Sequence, residues 1–202
     1  TDTWRHITPE EAIEALRSKL GQSVTLRMRS DVAVGTCLSG GLDSSAIAAF
    51  ASSLYREDVQ QSFTGITAGS YDRKKDETYF AQQVATHLRM VWQHHTPLPL
   101  DYDQAFEKVL HIQEEPFNSN SVVMQHFVMQ LAHNAGLKVL LDGQGADELL
   151  LGYKPHVAWV IQALPPWAGA KLAFKSLNKY QIDAKELLLL LAYHTQVKRK
   201  KN

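Results

Sequence analysis

Residues 39–45 read Ser39-Gly40-Gly41-Leu42-Asp43-Ser44-Ser45. The run before them, Val32-Ala33-Val34-Gly35-Thr36-Cys37-Leu38, is apolar, and the run after them, Ala46 to Leu54, is small and rich in alanine. That order predicts a buried strand, a glycine turn and a helix starting near Ser44. Two adjacent glycines leave no side chain between backbone N–H groups and an anion. Ser39, Ser44 and Ser45 add hydroxyl donors, and the helix aims the positive end of its dipole at the turn. The stretch suits phosphate, but it is not a Walker loop, which needs G-x-x-x-x-G-K-[ST] with a lysine for the outer phosphates. No lysine is present, and a carboxylate, Asp43, stands inside the turn. A carboxylate beside polyphosphate calls for Mg²⁺ between the two, so the loop fits magnesium pyrophosphate better than transfer of a terminal phosphoryl group. The bland alternative is a Gly/Ser turn that only joins a strand to a helix.

Outward from this loop the pattern alternates. Strands are expected at 32–38, 62–67, 90–95 and 138–142, and helices at 9–19, 44–54, 77–88, 102–112 and 122–135. Strands apolar on both faces, separated by helices, predict an α/β fold: an open parallel sheet with helices on both faces. The first helix opens with Thr8-Pro9-Glu10-Glu11, an N-cap, a first-turn proline and early acids, and Ile13, Leu16 and Leu20 mark its expected inner face. A second glycine-bearing stretch follows the last strand: Asp142-Gly143-Gln144-Gly145-Ala146-Asp147-Glu148-Leu149-Leu150-Leu151-Gly152-Tyr153. Both glycine loops fall at strand C-terminal ends, where open α/β sheets bind ligands. After Tyr153 the pattern loosens. Pro165-Pro166 interrupts any helix, and 184–196 reads as one more helix, apolar all round at Leu187 to Leu191. In the pair His94-His95, neighbours on a strand face opposite ways, which argues against joint metal binding.

The pattern Ser-Gly-Gly-x-Asp-Ser resembles the pyrophosphate loop of the ATP pyrophosphatase superfamily. With the second loop, the chain is similar to the synthetase domain of glutamine-dependent asparagine synthetase, class B type. Other stretches agree: Ser30 to Gly35 before the first loop, Asp76-Glu77 with Ala81, Val84 and His87-Leu88, and Glu114-Glu115-Pro116-Phe117 followed by Ser121. The resemblance covers most of the chain. It implies a Rossmann-like ATP pyrophosphatase (adenine nucleotide alpha hydrolase-like) fold and a ligase reaction. The aspartate side-chain carboxylate attacks the α-phosphate of ATP, pyrophosphate leaves, and ammonia converts the acyl-adenylate to asparagine and AMP. It also implies that Ser39, Gly40, Gly41, Asp43, Ser44 and Ser45 cradle pyrophosphate and that Asp43 and Asp147 hold Mg²⁺. Backbone atoms of Leu38, of the strand end 63–66 with Gly65 as the nearest match, and of Asp142 and Gly143 would border adenine. Gln144 and Glu115 complete the candidate catalytic set, Glu115 as base or Mg²⁺ ligand.

The sequence departs from that family at definite places. Asp142 stands where Ser is usual, Gln144 where Glu is frequent, and Leu151 where a glycine is usual. Gln has no basic lone pair at neutral pH, which opens the acceptor to question. The single cysteine, Cys37, lies on the first strand, where a small apolar role outweighs a nucleophilic one. The chain as given is therefore expected not to hydrolyse glutamine, and a glutaminase domain would act in cis or in trans. The expectation is one synthetase domain over 1–202, incomplete at its C-terminal end, without the glutaminase domain; a homodimer stays open. Two alternatives remain: a related adenylating synthetase that forms another amide or a lactam, and a non-catalytic ATP-binding module.

The whole composition sets bounds. With 202 residues there is material for one ordinary core. Lys+Arg 21 against Asp+Glu 21 supplies no general field toward nucleic acid or an anionic membrane, and the tryptophans are too scattered for a stacking platform. No run is long and apolar enough to span a membrane. One cysteine suits a reducing compartment, so the cytoplasm is expected, with small molecules as substrates.

Overall fold

The structure is a computed structural model that describes residues 7–179 and 182–201. The polar start, 1–6, lies outside the described residues, as do the side chains of the basic end, 198–201. The chain divides into two compact units, 1–143 and 144–202.

The first unit is built on four parallel strands: β1 (Val34–Cys37), β2 (Thr64–Ala68), β3 (Val91–His95) and β4 (Val139–Leu141). Their spatial order is β3-β2-β1-β4. β1 pairs with both β2 and β4, through Thr36↔Gly65 and Thr36↔Leu141. The helices are α1 (Pro9–Arg27), α2 (Leu42–Val59), α3 (Thr78–His87), α4 (Pro99–Gln113) and α5 (Ser121–Asn134). Side-chain alternation along the strands divides the core between two faces. On one face Val34, Phe63 and Leu141 pack with Val24 of α1 and Ala51 of α2, while Leu38 packs with Ala48, Ala81 and Ala85 of α2 and α3. On the other face Ile66 and Cys37 meet Val128 and Ala132 of α5, and α4 adds an outer layer through Ala105 and Val109. The parallel sheet with helices on both faces is as the sequence predicts.

Three details differ. α1 runs on to Arg27, and its buried residue is Val24; Leu20 is partly covered, whereas Ile13 and Leu16 are 67% and 50% exposed. Ile13 and Leu16 line an open groove with Ala46 and Ala49 of α2 rather than packing tightly on it, so the expected apolar stripe overstates the buried contact. Helix α2 begins at Leu42 rather than at Ser44, with Gly41 as N-cap. Gly65 lies inside β2 rather than at its end: the strand continues to Ala68, and Gly65 is buried against Leu38 and Met90.

The second unit contains α6 (Ala146–Leu150), α7 (Lys154–Ala163), α8 (Pro166–Lys179) and α9 (Ala184–Lys201). Three of these are missing from the sequence expectation. Prolines start two of them: Pro155 sits in the first turn of α7 and Pro166 opens α8, where the absent N–H is not needed. Pro165-Pro166 therefore divides two helices instead of ending helical structure. Lys154 Nζ pairs with both carboxylate oxygens of Glu186 at 3.0 Å, joining α7 to α9. Leu188 and Leu189 of α9 are exposed, while Leu187 is buried.

Candidate active site

The loop from β1 to α2 follows from its glycines. Gly40 has φ +85°, and a Cβ there would run into the backbone of Phe80 and Ala81 in α3. The loop thus presses on the first turns of α3 as well as opening α2. Gly41 N–H donates to Ser39 Oγ (3.2 Å), and Ser39 Oγ lies 2.9 Å from Ser44 Oγ. The hydroxyls of Ser44 and Ser45 donate back to the Gly41 carbonyl at 3.2 and 2.6 Å. This modifies the expectation of three outward hydroxyl donors. The serine protons hold the turn's shape, and the standing donors are the first-turn N–H groups of α2, which has no side-chain cap. Asp43 sits in that first turn.

Gly143, the residue after Asp142 at the end of β4, packs on this loop. A Cβ on it would come 3.3 Å from Asp43 Cβ and from Ser44 N. The register Thr36↔Leu141, tightened by Thr36 Oγ1 donating to the Leu141 carbonyl at 3.2 Å, sets Asp142 beside Cys37. Alternation puts both on the α5 face, where Leu140 and Cys37 share one cluster. Burial pushes the Cys37 thiol up to about 12; the charge of Asp142 and a hydrogen bond to it push the same way, and a hydrogen bond with Gln125 opposes them. Cys37 is thus a thiol at neutral pH and no nucleophile.

A cavity of about 730 Å³ opens beside the loop at the C-terminal edge of the sheet. Its wall includes Ser39, Thr67, Ser70, Lys75, Tyr102 and Gln125. The Tyr102 hydroxyl is buried in that wall with no hydrogen-bond partner, and burial, then the charge of Asp103, pushes its pKa upward. Lys75 belongs to the loop after β2, which is held by the Asp76 carboxylate. That carboxylate accepts Ser70 N–H (3.1 Å), Thr78 N–H (3.3 Å) and Thr78 Oγ1–H (2.7 Å). Burial raises the Asp76 pKa, but the Thr78 and Ser70 bonds, with His94 nearby, outweigh it and leave the carboxyl below its usual value.

Glu115 is exposed on the link between α4 and α5 and does not line this cavity. Gln144 and Asp147 belong to the second unit. There Gln144 is exposed, Asp147 lies in the first turn of α6, and a Cβ on Gly152 would strike the Asp147 carboxylate. Glu148 accepts the Tyr153 hydroxyl at 2.9 Å, so it is engaged locally. Leu151 sits at φ 61°, a left-handed position where glycine is favoured. His94 stacks on Trp92 and His95 lies toward Phe127, on opposite faces of β3 as expected. Thr67, Lys75 and Tyr102 are wall residues that motif reading misses. Thr67 could have been found as the residue two positions beyond Gly65 on the same face of β2.

Residues 15–201 match the family described as Asparagine synthase. The chain belongs to the asparagine synthase family. Among its relatives, a putative asparagine synthetase [glutamine-hydrolyzing] 2 of Methanocaldococcus jannaschii is 32% identical over 82% of this chain and 33% of its own length. Asparagine synthetase [glutamine-hydrolyzing] 2 of Bacillus subtilis is 30% identical over 81% of this chain and 22% of its own. A protein named Amidase chyE, of Penicillium rubens, is 26% identical over 77% of this chain and 26% of its own. The chain thus spans about a third or less of these relatives. An NH3-dependent NAD synthetase from Campylobacter jejuni aligns over 94% of this chain and 96% of its own at 13% identity and a TM-score of 0.46, too loose to add to the assignment. Among the described residues, no helix is long and apolar enough to cross a membrane.

Proposed function

We propose that this chain is the nucleotide-binding core of a longer synthetase domain that makes an amide by adenylating a carboxylic acid with ATP. The observation that carries the reading is the cradle formed by Ser39 to Ser45 at the uncapped N-terminus of α2, closed from β4 by Gly143. Any larger residue at 143 would crowd Asp43 and Ser44. Backbone donors there would hold the pyrophosphate that departs, stabilising charge as it develops. By the family resemblance backbone atoms of Leu38, Gly65, Asp142 and Gly143 would border adenine; of these Asp142 and Gly143 lie at the open sheet edge, whereas Leu38 and Gly65 are buried.

The donor set also fits Mg²⁺. Among the described residues no group of three or more His, Cys, Asp or Glu gathers as a cage. Mg²⁺ commonly uses one or two carboxylates together with substrate phosphates, and Asp43 supplies one at the cradle. Asp147 is the second carboxylate by family resemblance. When bound, the ion neutralises phosphate charge so that a carboxylate can approach. Asp43 would hold the ion beside the β- and γ-phosphates, the first-turn N–H groups of α2 would donate to them, and Gly143 leaves the contact free of side-chain bulk.

The names of the relatives support aspartate as the acid and glutamine as the ammonia source, delivered by a glutaminase domain in cis or trans, in the cytoplasm. Gln144 and Asp142, where Glu and Ser are usual, favour a second reading in which the adenylated acid or its acceptor differs. ATP–pyrophosphate exchange on the full-length protein, with Mg²⁺ and candidate acids in turn, tests both. Exchange that depends on aspartate supports the first, and exchange that depends on another acid supports the second. ATP binding without exchange sinks both in favour of a non-catalytic module. Asp43→Asn should slow exchange by about 100-fold or more, the scale for losing a charge-stabilising group; wild-type exchange in that variant refutes the role given to Asp43.

A further inference from the structure

The cavity of about 730 Å³ beside the glycine loop carries opposite charges that do not meet. Among the described residues, Lys75 is the one cation in its wall, and Asp72, Glu77 and Asp103 are the carboxylates. Among the described residues no ion pair or hydrogen bond engages the Lys75 ammonium, so it is joined to none of the three. Two of the carboxylates are compensated locally. Asp72 Oδ1 accepts the Lys74 N–H at 3.1 Å, and Glu77 stands at the N-terminus of α3, the positive end of the helix dipole. Asp103 has neither aid. It lies beyond the first turn of α4, and among the described residues its carboxylate accepts no hydrogen bond. The backbone of Lys75 is tied down on both sides. Its N–H donates to the Asp72 carbonyl at 2.9 Å, and the next residue is Asp76, whose carboxylate clasps Ser70 and Thr78. A cation on a tethered stretch of backbone and an unengaged carboxylate thus come from different elements into one cavity, which Ser39 of the glycine loop also lines.

We propose that this cavity holds the head group of an α-amino acid, with Lys75 pairing its α-carboxylate and Asp103 its α-ammonium. The inference rests on the reading that the chain adenylates a carboxylic acid, and it names the class: an amino acid that reacts through a side-chain carboxylate. A zwitterionic head suits separated charges, because each of its two groups finds a partner of opposite sign. A simple carboxylic acid would leave Asp103 without a cation, and a polyphosphate would meet more carboxylates than ammonium groups. The side-chain carboxylate is then left for the Ser39 side of the cavity, where the cradle begins, and Leu98 and Met124 in the same wall suit the carbon chain between the two ends. Lys75 and Asp103 set specificity; neither acts on the reacting carbon.

The test is ATP–pyrophosphate exchange on the full-length protein with two matched sets of acids: aspartate, β-alanine and succinate, and glutamate, 4-aminobutyrate and glutarate. In each set the second acid lacks the α-carboxylate and the third lacks the ammonium. The wild type should use the amino acid of one set better than either analogue by about tenfold or more in kcat/KM, the scale of one hydrogen bond to a charged group. Lys75→Met should raise KM for that amino acid about tenfold, with kcat unchanged, and leave the analogue without an α-carboxylate as it was; Lys75→Arg should restore the wild-type KM. Asp103→Asn should weaken the amino acid and leave the analogue without an ammonium as it was. ATP affinity and unfolding temperature should stay at their wild-type values in all three variants. A loss equal for the amino acid and its analogues marks a merely structural role and overturns the proposal. So does exchange supported only by acids outside both sets or by acids without an amino group. If ATP binds and no acid at all supports exchange, the adenylation reading fails first, and this inference with it.

Discussion

Gly40→Ala tests how the loop between β1 and α2 is braced. Gly40 is left-handed, at φ +85°, and a methyl group there would sit 2.6 Å from the Phe80 carbonyl carbon and 2.7 Å from Phe80 Cβ, besides meeting Ala81 N. Two of those atoms are helix backbone and cannot rotate aside, so loop and α3 must part by about 1 Å in a close-packed interior. The left-handed backbone costs Ala about 1–2 kcal/mol, and overpacking adds about 1–3 kcal/mol. Gly136→Ala is the matched control. It too is left-handed, at φ +73°, but nothing lies within 4 Å of its would-be Cβ. Both variants carry the backbone strain and the same reduction of unfolded-state freedom, so their difference isolates the contact with α3. Urea unfolding should find Gly40→Ala less stable than Gly136→Ala by about 1–3 kcal/mol, with ATP binding weakened in Gly40→Ala alone. Equal losses in the two variants, or unaltered ATP binding in Gly40→Ala, would refute the argument that α3 fixes the loop.

Two pH-linked predictions follow from single side chains. The Asp76 pKa is held below its usual value of 3.8, so its contribution to stability is complete above that value and is lost as pH falls through the lower, folded value. Asp76→Asn should therefore be less stable than wild type at about pH 7 and converge on it in acid; a gap independent of pH counts against the hydrogen-bond assignment. The Cys37 thiol, pushed up to about 12 from a usual 9.0, contributes stability that is present below 9.0 and lost as pH rises toward the folded value. At about pH 8 iodoacetamide should spare the native protein and label it in urea, because the thiolate is the reactive form; rapid labelling of the native protein would contradict the burial and the Asp142 contact.

Most of the first unit is legible in the sequence because its signals are local. Glycine pairs, alternating apolar strands and Pro/Glu helix starts are written within a few residues. The sheet comes out as expected for the same reason: β1 is apolar on both faces, and only a doubly covered parallel sheet uses such a strand. What local reading misses depends on partners distant in the chain. Whether Ile13 is covered depends on how closely α1 packs on α2. Whether Gly65 ends β2 depends on β3, which pairs on through Thr67↔His94 and Ala68↔His95. The serine hydroxyls are another case, since three hydroxyls around two glycines suggest outward bonds, but Ser44 and Ser45 donate back to the Gly41 carbonyl and Ser39 accepts the Gly41 N–H. In the second unit Pro165-Pro166 reads as a breaker because composition cannot distinguish a proline that ends a helix from one, like Pro166, that begins the next.

Strand order accounts for how Gly143 comes to pack on a loop about 100 residues earlier in the chain. β1 is central, and the chain leaves it toward β2 on one side and returns to β4 on the other, so the connections diverge at the C-terminal end of β1, the crevice where open sheets take ligands. The β1–β4 register then decides which residue of the second loop meets the first. With Thr36 opposite Leu141, Leu141 and Gly143 share the α2 face, and Gly143 arrives at Asp43 with only a hydrogen on that side. A slip of one residue would bring Asp142 or Gln144 to that spot and turn every β4 side chain to the other face. Leu141 would leave the cluster with Val34 and Ala51, and a carboxylate or an amide would crowd Asp43 and Ser44. The Thr36 hydroxyl, whose one proton is shared between the Leu141 and Cys37 carbonyls at 3.2 Å each, adds to the cost of that slip. Thr36 is 0% exposed, a buried polar side chain in a strand otherwise suited to valine. Its hydroxyl explains that choice: it supports the register that brings Gly143 to Asp43.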